Sequence, residues 1–414
     1  MWQQPGEVDD DGELSAKAVR VVNPRILIAG GSIGGLTTAV LLRDLGYDVQ
    51  VFERASAALQ ERGTGIVVLP ITERYFTEGQ RGDDGRVSLE LADWTYLDHS
   101  GAVISAQADH FRFSGWSTVY RALHEAFDPD RYHLDSEMVG FDQRADGVTV
   151  HLGDGRSVDG DLLICADGLS STARSILLPG VEPTYAGYVA WRAITPEQDL
   201  SATTLAALSD AMLYQVLDHS HILVYAIPSP SGSITPGERT VNSVWYRNYP
   251  DDGAFADLMT GIDGERRSGT MPPGMIRPEF VDEMRQSARE TLAPPIREVV
   301  LACDEPLIQA IFDLEVPKMV FGRVCILGDA AFGLRPHVAA GQAKACADAW
   351  ALHDALIEVD HDLDAALAVW EPRQLQLGRS AVAKTRMMGH RSQVAGTMVA
   401  GDPAWKFGLW EPGN

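Results

Sequence analysis

The 414-residue chain carries 34 basic against 58 acidic residues, a net charge of −24, and 45% hydrophobic content. That length and apolar content suit a large core in two domains or one elaborated one, while the acidic balance works against nucleic acid or an anionic membrane as a partner. No stretch approaches eighteen uninterrupted apolar residues, and the acidic opening MWQQPGEVDDDGELSAK is unlike a basic leader before an apolar run.

Residues 1–23 are polar and poor in apolar periodicity, which predicts a disordered leader. The next stretch, RILIAGGSIGGLTTAVLLRDLGYDVQVFER (Arg25 to Arg54), reads as a strand, a glycine turn, a helix and a second strand. Ile26, Leu27 and Ile28 form the short apolar run that a parallel sheet buries on both faces. Gly30, Gly31, Gly34 and Gly35 let the backbone turn tightly and approach a phosphate, and the first-turn amides of the following helix, around Ser32 and Ile33, are left partly positive. Against G-x-G-x-x-G the match is Gly30, Ser32, Gly35, with serine in the middle place. Gly46 sits where a helix C-cap belongs, and Glu53, followed by Arg54, ends the second strand where a carboxylate can accept both ribose hydroxyls. A dinucleotide site is expected.

Farther along, ERGTGIVVLP (Glu61 to Pro70) predicts a glycine-hinged strand, and a polar stretch to Arg86 predicts a helix and loop. From Val87 to Ala108 alternating strands flank a hairpin signal at Asp98 to Gly101. Ser117 to Phe127 returns to helical spacing, with Tyr120, Leu123, His124 and Phe127 on one face, and a small meander follows at 132–152. In DLLICADGLSSTAR (Asp161 to Arg174) a buried strand breaks at Asp167-Gly168 into a turn. The segment from Gly187 to Trp245 is strand-rich and aromatic, Pro272-Pro273 and Pro294-Pro295 bound a helical stretch, and Arg323 to Ala331 restores a buried strand before helices at 340–356 and 363–380. Four cysteines (Cys165, Cys303, Cys325, Cys346) lack C-x-x-C spacing, so reduced thiols in a cytoplasmic protein are expected, with no metal site.

Three motifs in this order, the glycine turn with Glu53, CADGLSSTAR, and ILGDAAFGLRPHVAAGQAKACADA, resemble those of the class A flavoprotein monooxygenases, the aromatic hydroxylases with a p-hydroxybenzoate hydroxylase fold. The resemblance implies an α/β fold in which a Rossmann-like FAD-binding domain is interleaved with a β-rich substrate domain. The expected division is 24–86, 117–180 and 296–400 for FAD, 87–116 and 181–295 for substrate, and a C-terminal tail at 401–414. It also implies non-covalent FAD, NADH or NADPH as co-substrate, and O2 delivered through a flavin C4a-hydroperoxide to an electron-rich ring. Gly63 to Val68, Pro183 to Arg192, Arg335 to Ala345 and Gly401 to Leu409 resemble more closely the hydroxylases of 2,6-dihydroxypyridine-like N-heterocycles. A phenolic acid or urate-like purine as substrate, a flavin oxidase or dehydrogenase that does not use NAD(P)H, and a silent nucleotide-binding module are the alternatives. The partner expected is a small aromatic molecule, with a homodimer allowed.

In that frame Asp329, at the C-terminal end of the strand before Gly328, can accept a ribityl hydroxyl. Pro336 stiffens a turn, and the backbone around Ala340, Gly341 and Gln342 opens a helix whose N-terminus can stabilise negative charge on a reduced flavin. Asp167 and Gly168 form a turn near the pyrophosphate. Arg43 on the first helix and Tyr120, which stands where relatives carry the arginine of R-x-x-L, complete the expected cofactor contacts. Phe332 stands where many relatives carry histidine, which removes a proton relay at that position. Electrophilic oxygen transfer requires an electron-rich ring, so a base beside a ring hydroxyl is expected. The candidates for the base are His219, His221 and His337, with Tyr214, while Arg192 can pair with an anionic substrate oxygen and Tyr188, Trp191 and Tyr225 lie nearby; His219 and His221 share a face if both lie on one strand.

Overall fold

The computed structural model describes residues 23–57, 59, 64–78 and 87–409. The expected leader falls almost wholly outside them, as do Gly63, residues 79–86 and the last five residues.

Two sheets organise the chain. The first has six strands in the order Val320–Phe321, Val324–Ile326, Leu162–Cys165, Arg25–Ala29, Asp48–Phe52, Tyr132–His133, all parallel except the outermost hairpin. Ile28 stands beside both Val51 and Ile164 in register, and all three are fully buried. Helices cover the sheet, which is why the short strands are apolar throughout rather than alternating. The helix Ile33–Asp44 is buried along ten of its twelve residues because it is wedged between the sheet and the helix Gly341–Glu358. The two helices meet at Gly34, where a Cβ would lie 2.8 Å from that of Ala345. Hairpin and turn chemistry behaves as expected at Asp98, whose side chain accepts the amides of Ser100 and Ala102 between the strands Leu89–Leu97 and Val103–Gly115.

The second sheet has nine strands, in the order Thr270–Met271, Leu307–Asp313, Thr184–Pro196, Thr240–Asn248, Ser220–Ile227, Ala211–Leu217, Leu89–Leu97, Val103–Gly115, Gly65–Val68. It draws Gly65–Val68 and Leu307–Asp313 from segments that the expected boundaries assign to the FAD unit, because those strands pair with Val103–Gly115 and Thr184–Pro196. Period two sorts its side chains. Val189, Trp191, Leu213, Ile222, Val224 and Trp245 pack against the helices Pro278–Thr291 and Pro294–Ala302, whereas Tyr188, Ala190, Tyr214, Leu223, Tyr225 and Tyr246 face the other way. Trp191 therefore belongs to the core behind the sheet, on the face opposite Arg192. The segment Met138 to Gly160 forms a separate three-stranded meander.

Candidate active site

A groove begins at the C-terminal ends of the parallel strands. Its first part is lined by Gly30, Ser32, Glu53, Arg54, Asp167 and Gly168, among others. Gly30 has φ +100, and a Cβ on it would lie 2.3 Å from the carbonyl oxygen of Ala166, so only glycine lets these two crossover turns touch. Gly35 does not line the groove; its Cβ would lie 1.9 Å from the Gly30 carbonyl oxygen, so it closes the turn from behind. Glu53 is nearly buried and accepts the backbone amides of Gly31 and Ala55, each at 2.9 Å. Those two bonds aim the carboxylate and leave lone pairs for hydroxyl donors.

The groove continues between two helix N-termini. Ser32, Ile33 and Gly34 open the helix Ile33–Asp44, and Gly341 and Gln342 open Gly341–Glu358; neither helix has a side-chain cap. Unpaired first-turn amides on both sides make this a setting for an anionic group. Gly328 and Asp329 lie on its floor. Asp329 is open to solvent there, yet closely enough walled that burial raises its carboxyl pKa, with Lys344 opposing the rise. Behind the turn, the fully buried Asp348 accepts the Gly328 amide at 2.8 Å and pairs with Lys344 at 2.7 Å, and Lys344 stands over the Phe332 ring at 4.5 Å. Phe332 is fully buried and serves as packing.

Asp329, Gly341 and Gln342 also line the third part, a cleft between the two sheets with Pro336, His337, Ala340, Arg192, Tyr214, His221, Tyr246 and Phe407. Its walls are aromatic. Tyr214 and His221 stack with centroids 5.5 Å apart and planes 6° from parallel, and Tyr246 lies 4.6 Å from His221 and 5.0 Å from His337. Arg192 donates to the Gly65 carbonyl at 2.6 Å and to Gln309 Oε1 at 3.2 Å, while its buried Nε has no partner. Burial holds both histidines neutral, lowering His221 to about 3 and His337 well below its usual value. The tyrosines move the opposite way: burial raises Tyr214 and Tyr246, and Tyr225 to about 12 against the Arg192 charge.

The neutral His221 makes stability depend on pH. An unfolded histidine titrates near about 6.5. Between that pH and about 3 the unfolded chain binds a proton that the folded chain refuses, so stability is complete above about 6.5 and falls with the pH below it. His221→Asn should flatten the fall in stability between pH 6.5 and 4, by an amount on the order of a few kcal/mol, read as a shallower fall in thermal midpoint. An acid limb identical to that of the unaltered protein would show that His221 is not held neutral.

Three expected site residues stand elsewhere. His219 lies in the turn before the strand Ser220–Ile227, at φ +49 and half exposed beside Asp218, so the shared face with His221 does not exist. Arg43 bonds the Ala126 carbonyl, Asp44 and the Tyr75 hydroxyl on the side of its helix away from the groove. Tyr120 is fully buried, its hydroxyl between Tyr132 and the Leu59 amide. All other expected cofactor residues except Gly35 line the groove, as do Arg192, Tyr214, His221 and His337 among the catalytic candidates. Lining residues not foreseen are Trp116, which lines both inner parts, Tyr246 and the tail residue Phe407; behind the lining, Gln393 Nε2 lies 3.3 Å from His221 Nδ1 and the tail residue Trp405 packs edge-on against His221. The aromatic pair in GDPAWKFGL was the available signal. Gln393 sits in a π-helical turn, His390–Val394, that no sequence period announces.

A dinucleotide groove running between two uncapped helix N-termini into an aromatic cleft is the architecture of a flavoprotein oxygenase. The family described as FAD binding domain-like matches residues 185–313. The chain is 37% identical over 386 residues to a 2,6-dihydroxypyridine 3-monooxygenase of Paenarthrobacter nicotinovorans, covering 93% of this chain and 96% of that one. The solved structure of 2,6-dihydroxypyridine-3-hydroxylase from Arthrobacter nicotinovorans superposes with TM-score 0.88 at 35% identity, covering 94% and 98% of the two chains. The fold is shared also with Klebsiella pneumoniae HpxO complexed with FAD and uric acid, at TM-score 0.73 and 23% identity over 90% of this chain and 89% of that one. The chain belongs to the class A FAD-dependent aromatic hydroxylases of the p-hydroxybenzoate hydroxylase fold. It is an NAD(P)H- and O2-dependent monooxygenase acting on a small molecule.

Proposed function

We propose that the substrate is a small, hydroxylated N-heteroaromatic ring of the 2,6-dihydroxypyridine type, bound in the aromatic cleft. The observation that carries this reading is a cleft walled by flat rings, with neutral hydrogen-bonding tips and a single half-buried arginine among its lining residues. Tyr214, His221 and Tyr246 offer faces to a planar ring, and their polar atoms can meet ring oxygens and nitrogen. Arg192, with a buried Nε that lacks a partner, favours a ring hydroxyl in its ionised form. Phe407, Leu223 and Val244 keep the walls apolar, which excludes water from the reacting centre. The expected setting is a reducing cytoplasm, supported by four cysteines that are all buried and unpaired. Among the described residues no helix is long and apolar enough to cross a membrane.

FAD fits the groove on the chemistry of its donors and on the close approach at Gly30. Glu53 would take the ribose, the amides near Ser32 the pyrophosphate, Asp329 the ribityl chain, and the backbone at Ala340 to Gln342 the ring edge that becomes negative on reduction. When bound and reduced by NAD(P)H, FAD supplies the activated oxygen. Glu53→Ala and Asp329→Ala should each weaken FAD binding about tenfold to a hundredfold, the weight of a hydrogen bond to a charged group. Flavin content at equal expression and titration of the apoprotein would read this. Undiminished affinity in both variants would remove the assignment.

The substrate reading is tested by NAD(P)H oxidation with dihydroxypyridines, phenolic acids and urate-like purines, with product detection. Coupled hydroxylation confined to the pyridines is expected. Coupled turnover of a phenolic acid or purine alone would overturn it.

A further inference from the structure

The cleft holds a contact that this reading leaves unexplained. Tyr188 and His337, from different segments, meet at 2.6 Å between the phenol oxygen and Nε2, and both are buried. The opposite ring nitrogen, His337 Nδ1, is buried without a protein partner. Arg335, two residues before His337, forms a two-pronged pair with Asp313 at 2.9 and 2.6 Å. Its Nη1 and the Tyr188 hydroxyl converge on Gly389, where a Cβ would lie 2.8 Å from one and 2.7 Å from the other.

We propose that Tyr188 is a positioning residue which, oriented by the Asp313–Arg335 pair, holds His337 in its Nδ1–H tautomer, so that His337 meets the substrate as a hydrogen-bond donor to an ionised ring oxygen and not as its base. The assignment of a partner to Nδ1 rests on the substrate reading above; the tautomer does not.

The argument is one of donor and acceptor polarity. Guanidinium has five N–H donors and no acceptor. Arg335 acts on the Tyr188 hydroxyl by charge and by hydrogen bonding, so the phenol oxygen turns a lone pair toward Arg335, and its hydrogen points to Nε2. If Nε2 carried the proton instead, the phenol hydrogen would be left facing a cation. A neutral imidazole has one proton, so it must then sit on Nδ1, and burial together with the Arg335 charge keeps the ring neutral. The groups around the ring are Tyr188, His221, Tyr246, Arg335 and Trp405. None is a carboxylate able to take the Nδ1 proton. That donor is thus left for a ligand, and an N–H aimed at a ring oxygen favours the ionised, electron-rich form that electrophilic oxygen transfer requires.

The test uses holoenzyme with oxidised FAD and without NAD(P)H, so no turnover occurs. In protein carrying 15N-labelled histidine, with His337 assigned by its loss in His337→Asn, Nδ1 should show the shift of a protonated nitrogen and Nε2 that of a bare one. The reverse pattern in the unaltered enzyme overturns the proposal, whatever the substrate. Tyr188→Phe should shift the ring toward the Nε2–H form and weaken binding of ionised 2,6-dihydroxypyridine about tenfold or more, read by its ultraviolet difference spectrum. The double variant Tyr188→Phe/His337→Asn should recover part of that affinity, because an amide N–H near the Nδ1 position cannot tautomerise. Unchanged ligand ionisation and affinity in Tyr188→Phe would overturn the donor role. Failure of 2,6-dihydroxypyridine to bind the unaltered enzyme at any pH would overturn the substrate reading and leave the tautomer result standing.

Discussion

Gly30→Ala is expected to leave almost no FAD-loaded enzyme. The residue has φ +100, and its Cβ would lie 2.3 Å from the Ala166 carbonyl oxygen and 2.6 Å from its carbon. Backbone strain of this kind costs roughly 1–3 kcal/mol and forced overpacking roughly another 1–3. Their sum, about 4 kcal/mol, is a large part of the roughly 5–15 kcal/mol that holds a domain together. Relief requires the Ala166–Asp167 turn to move, and both residues line the groove. Stability and cofactor binding should therefore fall together. Gly180→Ala separates the two costs: φ there is +88, but nothing lies within 4 Å of the added carbon. It should cost about 1 kcal/mol and keep its flavin. Thermal denaturation and the flavin-to-protein absorbance ratio would read both variants. Equal behaviour of the two would refute the close-approach argument.

Trp405→Ala is expected to uncouple the enzyme. Trp405 is almost fully buried and meets His221 edge-on at 5.7 Å, and its neighbour Phe407 stacks on Trp94 at 4.6 Å while lining the cleft. The amide of Gly408 donates to the Val338 carbonyl at 2.9 Å, tying the tail to the turn that carries His337. Removing a buried indole costs about 3–5 kcal/mol, and here the lost volume lies directly behind His221 and His337, two of the residues that wall the cleft. Water reaching the reacting centre diverts activated oxygen to hydrogen peroxide. NAD(P)H oxidation should continue while product per NAD(P)H drops severalfold and peroxide rises to match. Unchanged coupling in a folded Trp405→Ala protein would show that the tail does not guard the chemistry.

Much of the groove was legible in the residues before any coordinates. A run such as Ile26 to Ile28 followed by glycines and then Glu53 has few folded solutions, because a parallel strand, its glycine turn and the acid on the next strand are all within thirty residues. Asp167-Gly168 and Gly328-Asp329 belong to the same grammar of strand and turn. The substrate side was less legible. Alternation separates Trp191 from Arg192, but only strand pairing decides which face looks into the cleft. His219 shows how fragile such an inference is: the strand begins one residue later, and a left-handed turn sends the ring to solvent.

By itself the sequence determined the α/β class, the glycine turn with the acid at the end of the next strand, the two later turns that reach the groove, and the presence of an aromatic, strand-rich segment. These depend on neighbours in the chain, whose spacing is visible. Only the tertiary structure decided that residues 65–68 and 307–313 join the large sheet, that Arg43 and Tyr120 stay outside the groove, and that Phe407 comes back to line the cleft while Gln393 and Trp405 pack against His221. It also decided the protonation of His221 and His337, since a histidine's charge follows its burial and the groups that surround it. Those groups are brought together from more than a hundred residues apart by sheet pairing and core packing, which no local period records.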